Sequence, residues 1–210
     1  MSLFLGKIHY WLYNKILKFE AIEKDIVDWS RQEGLPVDEW LKSDYKIYEK
    51  PLEGEPLENI INTGNIHGWL QQKISQSELR QADLITKILN KDNNYERNLT
   101  DIFIKHGQLS AKDFDGESPD SPEMMYNMLN DIMLEGMPCD RPSTVIKNDD
   151  KAFTWETTVC LHKRYWDQVG GNVEMFYKLR GHWVKAFIET LNPNYKYEKI
   201  KPYVQSIVEV

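Results

Sequence analysis

Ile8-His9-Tyr10-Trp11-Leu12-Tyr13-Asn14-Lys15-Ile16 returns as Ile66-His67-Gly68-Trp69-Leu70-Gln71-Gln72-Lys73-Ile74, both stretches reading I-H-x-W-L-x-x-K-I. Six identities in a nine-residue window, Trp and His among them, mark an internal repeat offset by 58 residues. The match runs on, since Glu20 follows His9 by eleven positions and Glu78 follows His67 by eleven. No third copy occurs, because the equivalent stretch near Met125 has neither His nor Trp. Two copies are too few for a solenoid, so the repeat points to a helical bundle with an internally duplicated long helix.

Outward from these stretches the apolar spacing is that of amphipathic helices. Leu5, Ile8, Leu12, Ile16, Phe19, Ile22 and Ile26 recur at intervals of three and four, which predicts a helix over 3–30. A short helix is expected over 39–46 and a second long one over 57–90, with Gly64 a weak point inside it. The pattern then predicts a helix over 95–106 that stops at a Gly107 cap, and a Met-rich helix over 122–135. After Gly136 the composition turns to Thr, Val, Ile, Phe and Trp. Residues 143–147 and 152–161 read as an antiparallel hairpin around Asn148-Asp149-Asp150-Lys151. Gly170-Gly171-Asn172 leads into a helix over 173–191 that Asn192-Pro193 ends, and 203–210 alternates as a third strand. The fold class is therefore mainly α. A helical region spans 1–135, and a small α+β unit of antiparallel sheet packed on a helix spans 136–210.

Composition narrows the function. Lys plus Arg number 26 against 33 Asp plus Glu, a net charge of −7, which argues against nucleic acid because phosphate neutralisation needs surplus positive charge. No apolar run approaches the length of a membrane span, no leader pattern opens the chain, and the two cysteines are too few for a disulfide scaffold. A cytoplasmic protein is expected. Seven Trp and eleven Tyr are enough to line a pocket for a flat ligand as well as to fill helix cores.

The repeat supplies the first candidate site. Eleven residues make about three helical turns, so His and Glu of each copy share a face roughly 16 Å apart. Antiparallel helices would set His9 beside Glu78 and Glu20 beside His67; parallel helices would pair His with His and Glu with Glu. Buried imidazoles and carboxylates need partners or a metal. One outcome is hydrogen bonding that fixes helix register. The other is a site for a divalent transition metal or a small-molecule ligand built from His9, Glu20, His67 and Glu78, with Glu23 nearby. The Glu-x-x-His signature of di-iron bundles is absent. Without metal, an apolar pocket lined by Trp11, Trp69 and Tyr13 is the alternative. Both His9 and His67 are expected in the buried seam, and a homodimer stays open.

The hairpin supplies the second. With Asp149-Asp150 as the turn centre, Ile146 faces Phe153, Thr144 faces Trp155 and Cys139 faces Cys160. Alternation then sets Glu156, Thr158, Cys160 and His162 on one face, with Cys160 and His162 roughly 7 Å apart along the strand. An imidazole beside a thiol favours the thiolate, so Cys160 as nucleophile, His162 as base and Glu156 or Glu174 as orienting acid make a thiol-dependent hydrolase the competing class.

Cys160, Gly170-Gly171, the helix holding Met175 to Ile188, Asn192-Pro193 and the strand Tyr203 to Val210 follow one another in an order that resembles the C-terminal part of the L-2-amino-thiazoline-4-carboxylate hydrolase-like family. The resemblance covers about fifty residues. It implies Cys160 as the residue to test in a C–N or C–S bond hydrolase; His162 has no counterpart in that family's pattern.

Overall fold

The computed structural model describes residues 5–114, 116 and 118–210. The protein is mainly helical and closes with a four-stranded antiparallel sheet. The chain forms two compact units from interleaved segments, where the sequence suggested consecutive regions 1–135 and 136–210. Unit 1 takes the chain up to Asn93, then Ile132–Pro138 and His162–Asn172; unit 2 takes Asn94–Asp131, Cys139–Leu161 and Val173–Val210. No helix among the described residues is long and apolar enough to cross a membrane.

In unit 1 each copy of the repeat opens a helix of 26 residues, α1 (Lys7–Gln32) and α4 (Ile66–Lys91). Leu12, Ile16, Phe19, Ile26 and Leu70, Ile74, Leu84, Ile85, Ile88 form the buried stripes of the two. Between them lie α2 (Val37–Tyr48) and the short α3 (Leu57–Ile60). Helix α1 ends in a Schellman cap: Gly34, at φ 78°, donates to Arg31 O and Leu35 N donates to Ser30 O. The helix expected over 57–90, with Gly64 its weak point, is interrupted at 61–65. Asn62 Oδ1 takes the Gly64 N–H at 2.9 Å and Asn65 Oδ1 takes the Gly68 N–H at 3.2 Å, so asparagine side chains replace the helix ladder and restart it. Helix α7 (Lys163–Gln168), not expected from the sequence, packs on α4. Gly170 and Gly171 cap it through N–H bonds to Asp167 O and Trp166 O, the turn role of that glycine pair.

Unit 2 contains α5 (Glu96–Lys112), α6 (Pro122–Ile132), α8 (Val173–Leu191) and the sheet, in strand order β1 (Ser143–Asp149), β2 (Ala152–Thr157), β4 (Val204–Glu209), β3 (Tyr195–Lys201). Phe176, Leu179, Trp183 and Phe187 of α8 are buried, as its periodicity predicts, and α8 packs against both α5 and β3. Gly107 does not end α5. It lies mid-helix where α5 crosses α8, and a Cβ there would fall 2.5 Å from the Trp183 carbonyl oxygen. Tyr126 stacks on Phe153 at 4.3 Å and tilts against Trp155 at 4.9 Å, and burial pushes the nearby Tyr197 phenol up to about 12.

The hairpin differs from its expected register. Asp149 pairs with Ala152, so Asp150-Lys151 is the turn, and Asp149 Oδ1 fixes it by accepting from Lys151 N and Ala152 N. That turn sets Phe153 opposite Asn148, and a bulge between Val145 and Lys147 then shifts the ladder so that Trp155 falls opposite Val145. Strand β2 stops at Thr157, four residues short of the expected end. The Thr158 and Val159 N–H groups turn instead to Pro142 O. The tail supplies β4 as expected; the additional β3 was hidden by its lysine-rich Tyr195–Lys201 sequence, exposed for most of its length.

Candidate functional site

Helices α1 and α4 run parallel, with contacts between residues 57 to 62 apart along the seam. His9 therefore meets His67, their Nε2 atoms 3.3 Å apart. His9 Nδ1 accepts the Gly6 N–H at 2.9 Å, so the neutral ring carries its proton on Nε2 and donates it to His67 Nε2. His9 is buried and helps cap the start of α1, whereas His67 is exposed, contrary to the expectation that both lie in the seam. Burial, and then the facing His67, lower the His9 pKa below its ordinary 6.5.

One turn further on, each copy sets its lysine beside its tryptophan. Lys15 Nζ lies 3.8 Å from the Trp11 ring centre, and Lys73 Nζ 5.5 Å from the Trp69 ring centre.

The two repeat glutamates then part company. Glu20 joins Glu23 around Arg80: Arg80 NH2 donates to Glu20 Oε1, and Arg80 Nε donates to both Glu23 oxygens at 3.0 and 3.1 Å. All three side chains are at least nine-tenths buried. Burial outweighs the guanidinium at both carboxyls, raising Glu20 and pushing Glu23 up to about 7. Glu78 instead faces His162, whose Nδ1 lies 2.8 Å from Glu78 Oε1 and whose Nε2 lies 3.3 Å from Glu135 Oε1. Glu78 Oε2 is buried with no hydrogen-bond partner among the described residues.

These contacts redirect both sequence-derived sites. His9 and His67 meet, but Glu20 and Glu78 turn to other partners, so the four do not converge. Among the described residues no three His, Cys, Asp or Glu side chains are grouped to hold a metal ion. A metal-bound imidazole also donates through its second nitrogen, whereas His9 Nδ1 is an acceptor. His162 and Cys160 lie beyond the end of β2, with His162 in unit 1 and Cys160 in unit 2. Both His162 ring nitrogens lie within hydrogen-bond distance of carboxylates, Nδ1 of Glu78 and Nε2 of Glu135. Cys160 Sγ accepts from Tyr177 OH at 3.1 Å, both cysteines are free thiols, and Glu156 sits in the ladder opposite Thr144 and Val204.

The sequence reading missed Arg80 and Glu135. Arg80 left a signal, because it stands four residues before Leu84 on the buried side of α4, and Glu23 stands between Phe19 and Val27 on that of α1. Opposite charges at core-phase positions of two long helices are a pairing hint. Glu135 left none.

A cleft of about 380 Å³ opens beside this cluster, lined by Trp69, Lys73, Leu52, Ile60 and the charged residues of the loop after α2, Glu49, Lys50, Glu53 and Glu55. The buried cluster holds that loop from below: Glu20 Oε2 accepts the Leu52 N–H at 2.8 Å, and Arg80 NH1 donates to Tyr48 O and Glu49 O. Glu49 adopts φ 61°, ψ 174°, a region essentially reserved for glycine. Its carboxylate is 2.6 Å from Lys73 Nζ, which holds it below the usual glutamate range. Tyr13 OH donates to Glu55 O and steadies the far end of the loop. Of the three aromatic residues expected to line a pocket, Trp69 does, Tyr13 supports the wall, and Trp11 carries Lys15 instead. No protein-family model, curated protein or solved structure matches the chain.

Proposed function

We propose that the protein binds a small molecule in the unit 1 cleft between the loop 49–55 and the face of α4 that carries Trp69 and Lys73. The observation that carries this reading is Glu49. A non-glycine residue in its conformation costs on the order of 1–3 kcal/mol, and such strain persists where surrounding structure imposes it, often at ligand sites. Here Arg80 grips the Glu49 carbonyl and Lys73 its carboxylate, so the strained residue forms a fixed wall of the cleft. A cytoplasmic setting accompanies this proposal and is supported by two free thiols.

The test is a fragment library screened by amide and indole NMR against the wild type and Glu49→Gly. Ligands should shift the amides of residues 49–55 and the Trp69 indole. Glu49→Gly should keep or raise the melting temperature while weakening those ligands tenfold or more. Undiminished binding to Glu49→Gly, or a library that never perturbs this cleft, refutes the proposal.

A second reading, a thiol-dependent hydrolase acting through Cys160, is favoured by one contact. The Tyr177 hydroxyl donates to Sγ at 3.1 Å, so a hydrogen-bond donor stands beside the sulfur. Alkylation of Cys160 with an apparent pKa near the ordinary ~8.5 removes it.

A further inference from the structure

We infer that the guest of this cleft is a small organic cation, an amine carrying a compact apolar group that lies against the Trp69 indole. The inference rests on the proposed cleft site and assigns its ligand class. It starts from a difference between α1 and α4. Both carry Trp-x-x-x-Lys, yet Lys15 sits 3.8 Å from the Trp11 ring centre while Lys73 stands 5.5 Å from that of Trp69. The cause is local: Glu49 Oε2 at 2.6 Å and Gln76 Oε1 at 3.1 Å hold the Lys73 ammonium away from the ring. Cation–π attraction reaches to about 6 Å, so Lys73 engages the Trp69 ring near the limit of that range, more weakly than Lys15 engages Trp11, on the helix whose tryptophan lines the cleft.

The surrounding charges select the same class. Glu49, Glu53 and Glu55 line the cleft against Lys50 and Lys73, and Glu49 already neutralises Lys73. An anion entering the cleft therefore finds Lys50 outnumbered by two further carboxylates. A cation finds Glu53 and Glu55, both exposed, and a chain whose net charge of −7 draws positive solutes toward it. Leu52 and Ile60 supply an apolar wall for the rest of the molecule, and a volume near 380 Å³ lies at the small end of ligand sites.

Three probes of nearly equal shape and different charge test this: benzylamine, benzyl alcohol and benzoate. Each is titrated into the 15N-labelled full chain, and the Trp69 indole N–H signal is read, assigned through Trp69→Phe. Benzylamine should shift that signal with an affinity at least tenfold above benzyl alcohol, and benzoate should not shift it. The double variant Glu53→Gln/Glu55→Gln, altering two exposed side chains, should weaken benzylamine at least threefold and leave benzyl alcohol unchanged. If benzyl alcohol or benzoate binds as tightly as benzylamine, or the double variant leaves benzylamine unaffected, the cation assignment falls while the cleft remains a ligand site. If none of the three probes moves the Trp69 signal, the cation assignment falls as well, and the fragment screen alone decides the cleft.

Discussion

Replacing Arg80 with methionine takes the guanidinium from between Glu20 and Glu23 and leaves two buried carboxyls without it. Breaking a buried ion pair from one side typically destabilises by about 3–5 kcal/mol, because the remaining charge stays desolvated. The pH dependence sharpens this expectation. In the wild type, burial holds Glu23 at about 7 against an ordinary 4.5, so between those values the folded protein keeps a proton that the unfolded chain has released. That contribution is complete below about 4.5 and is lost as the pH rises through about 7, a swing of roughly 3 kcal/mol. In Arg80→Met the opposing guanidinium is gone and both carboxyls rise further. At pH 7 the stability should then fall with pH at up to about 2.7 kcal/mol per unit, the slope for two protons. Urea denaturation at pH 5, 6, 7 and 8 should give a deficit of about 3–5 kcal/mol at pH 7 that narrows by pH 5. The triple variant Glu20→Gln/Glu23→Leu/Arg80→Met keeps an acceptor for Leu52 N–H and removes the ions together. It should return to within about 1–2 kcal/mol of the wild type, as replacing buried ion clusters often does. A deficit under about 1 kcal/mol at pH 7, or one constant down to pH 5, would refute the assignment of a buried, desolvated cluster.

Three further outcomes follow from the structure. His9 is held below 6.5, so the unfolded chain takes up its proton first; its own contribution to stability is lost as the pH drops from about 6.5, against the gain from Glu23, and His9→Gln should steepen the net rise toward acid in a melting-temperature profile. Gly107→Ala, which in an open helix would stabilise by about 1 kcal/mol, should here destabilise by about 1–3 kcal/mol in denaturant melts, because the new methyl meets the Trp183 carbonyl. Thr154→Val should lower stability by about 1–3 kcal/mol by leaving Ser206 Oγ, 2.9 Å from the threonine hydroxyl, without that partner in the middle of the sheet; Thr154→Ser should not.

Legibility in the sequence followed the range of the interactions involved. Helix α8 is bounded as its residues predict, Val173 to Leu191, because a glycine pair before it and Asn192-Pro193 after it are local punctuation. The stripes of α1 and α4 were equally plain. The break at 61–65 showed in the sequence only as a weak point at Gly64, because the asparagine caps oppose an apolar rhythm that continues across them. The hairpin register slipped because Asp149 selects the turn through its own side chain, and a bulge then shifts the ladder. In the candidate sites, the repeat marked His9, Trp69, Lys73 and Glu20 as worth attention. It held no trace of the partners that give them their roles. Glu78 waits on His162, 84 residues away, and Glu20 on Arg80, 60 away, and such pairings are settled by tertiary packing alone.

The interleaved course of the chain has a consequence for its synthesis. A ribosome adding about 5–20 residues per second takes about 4–17 s to travel from Glu78 to His162, a stretch of 84 residues. Throughout that interval Glu78 of the nascent α4 has no His162 imidazole to meet it, and the Tyr165 that will reach Ser75 has not been made. Residues 94–131 must also emerge, and be set aside into another unit, before the first unit receives its last segment. The helical unit that begins at the N-terminus is thus completed only when residue 172 has been made, and a chain arrested anywhere before that residue leaves it open.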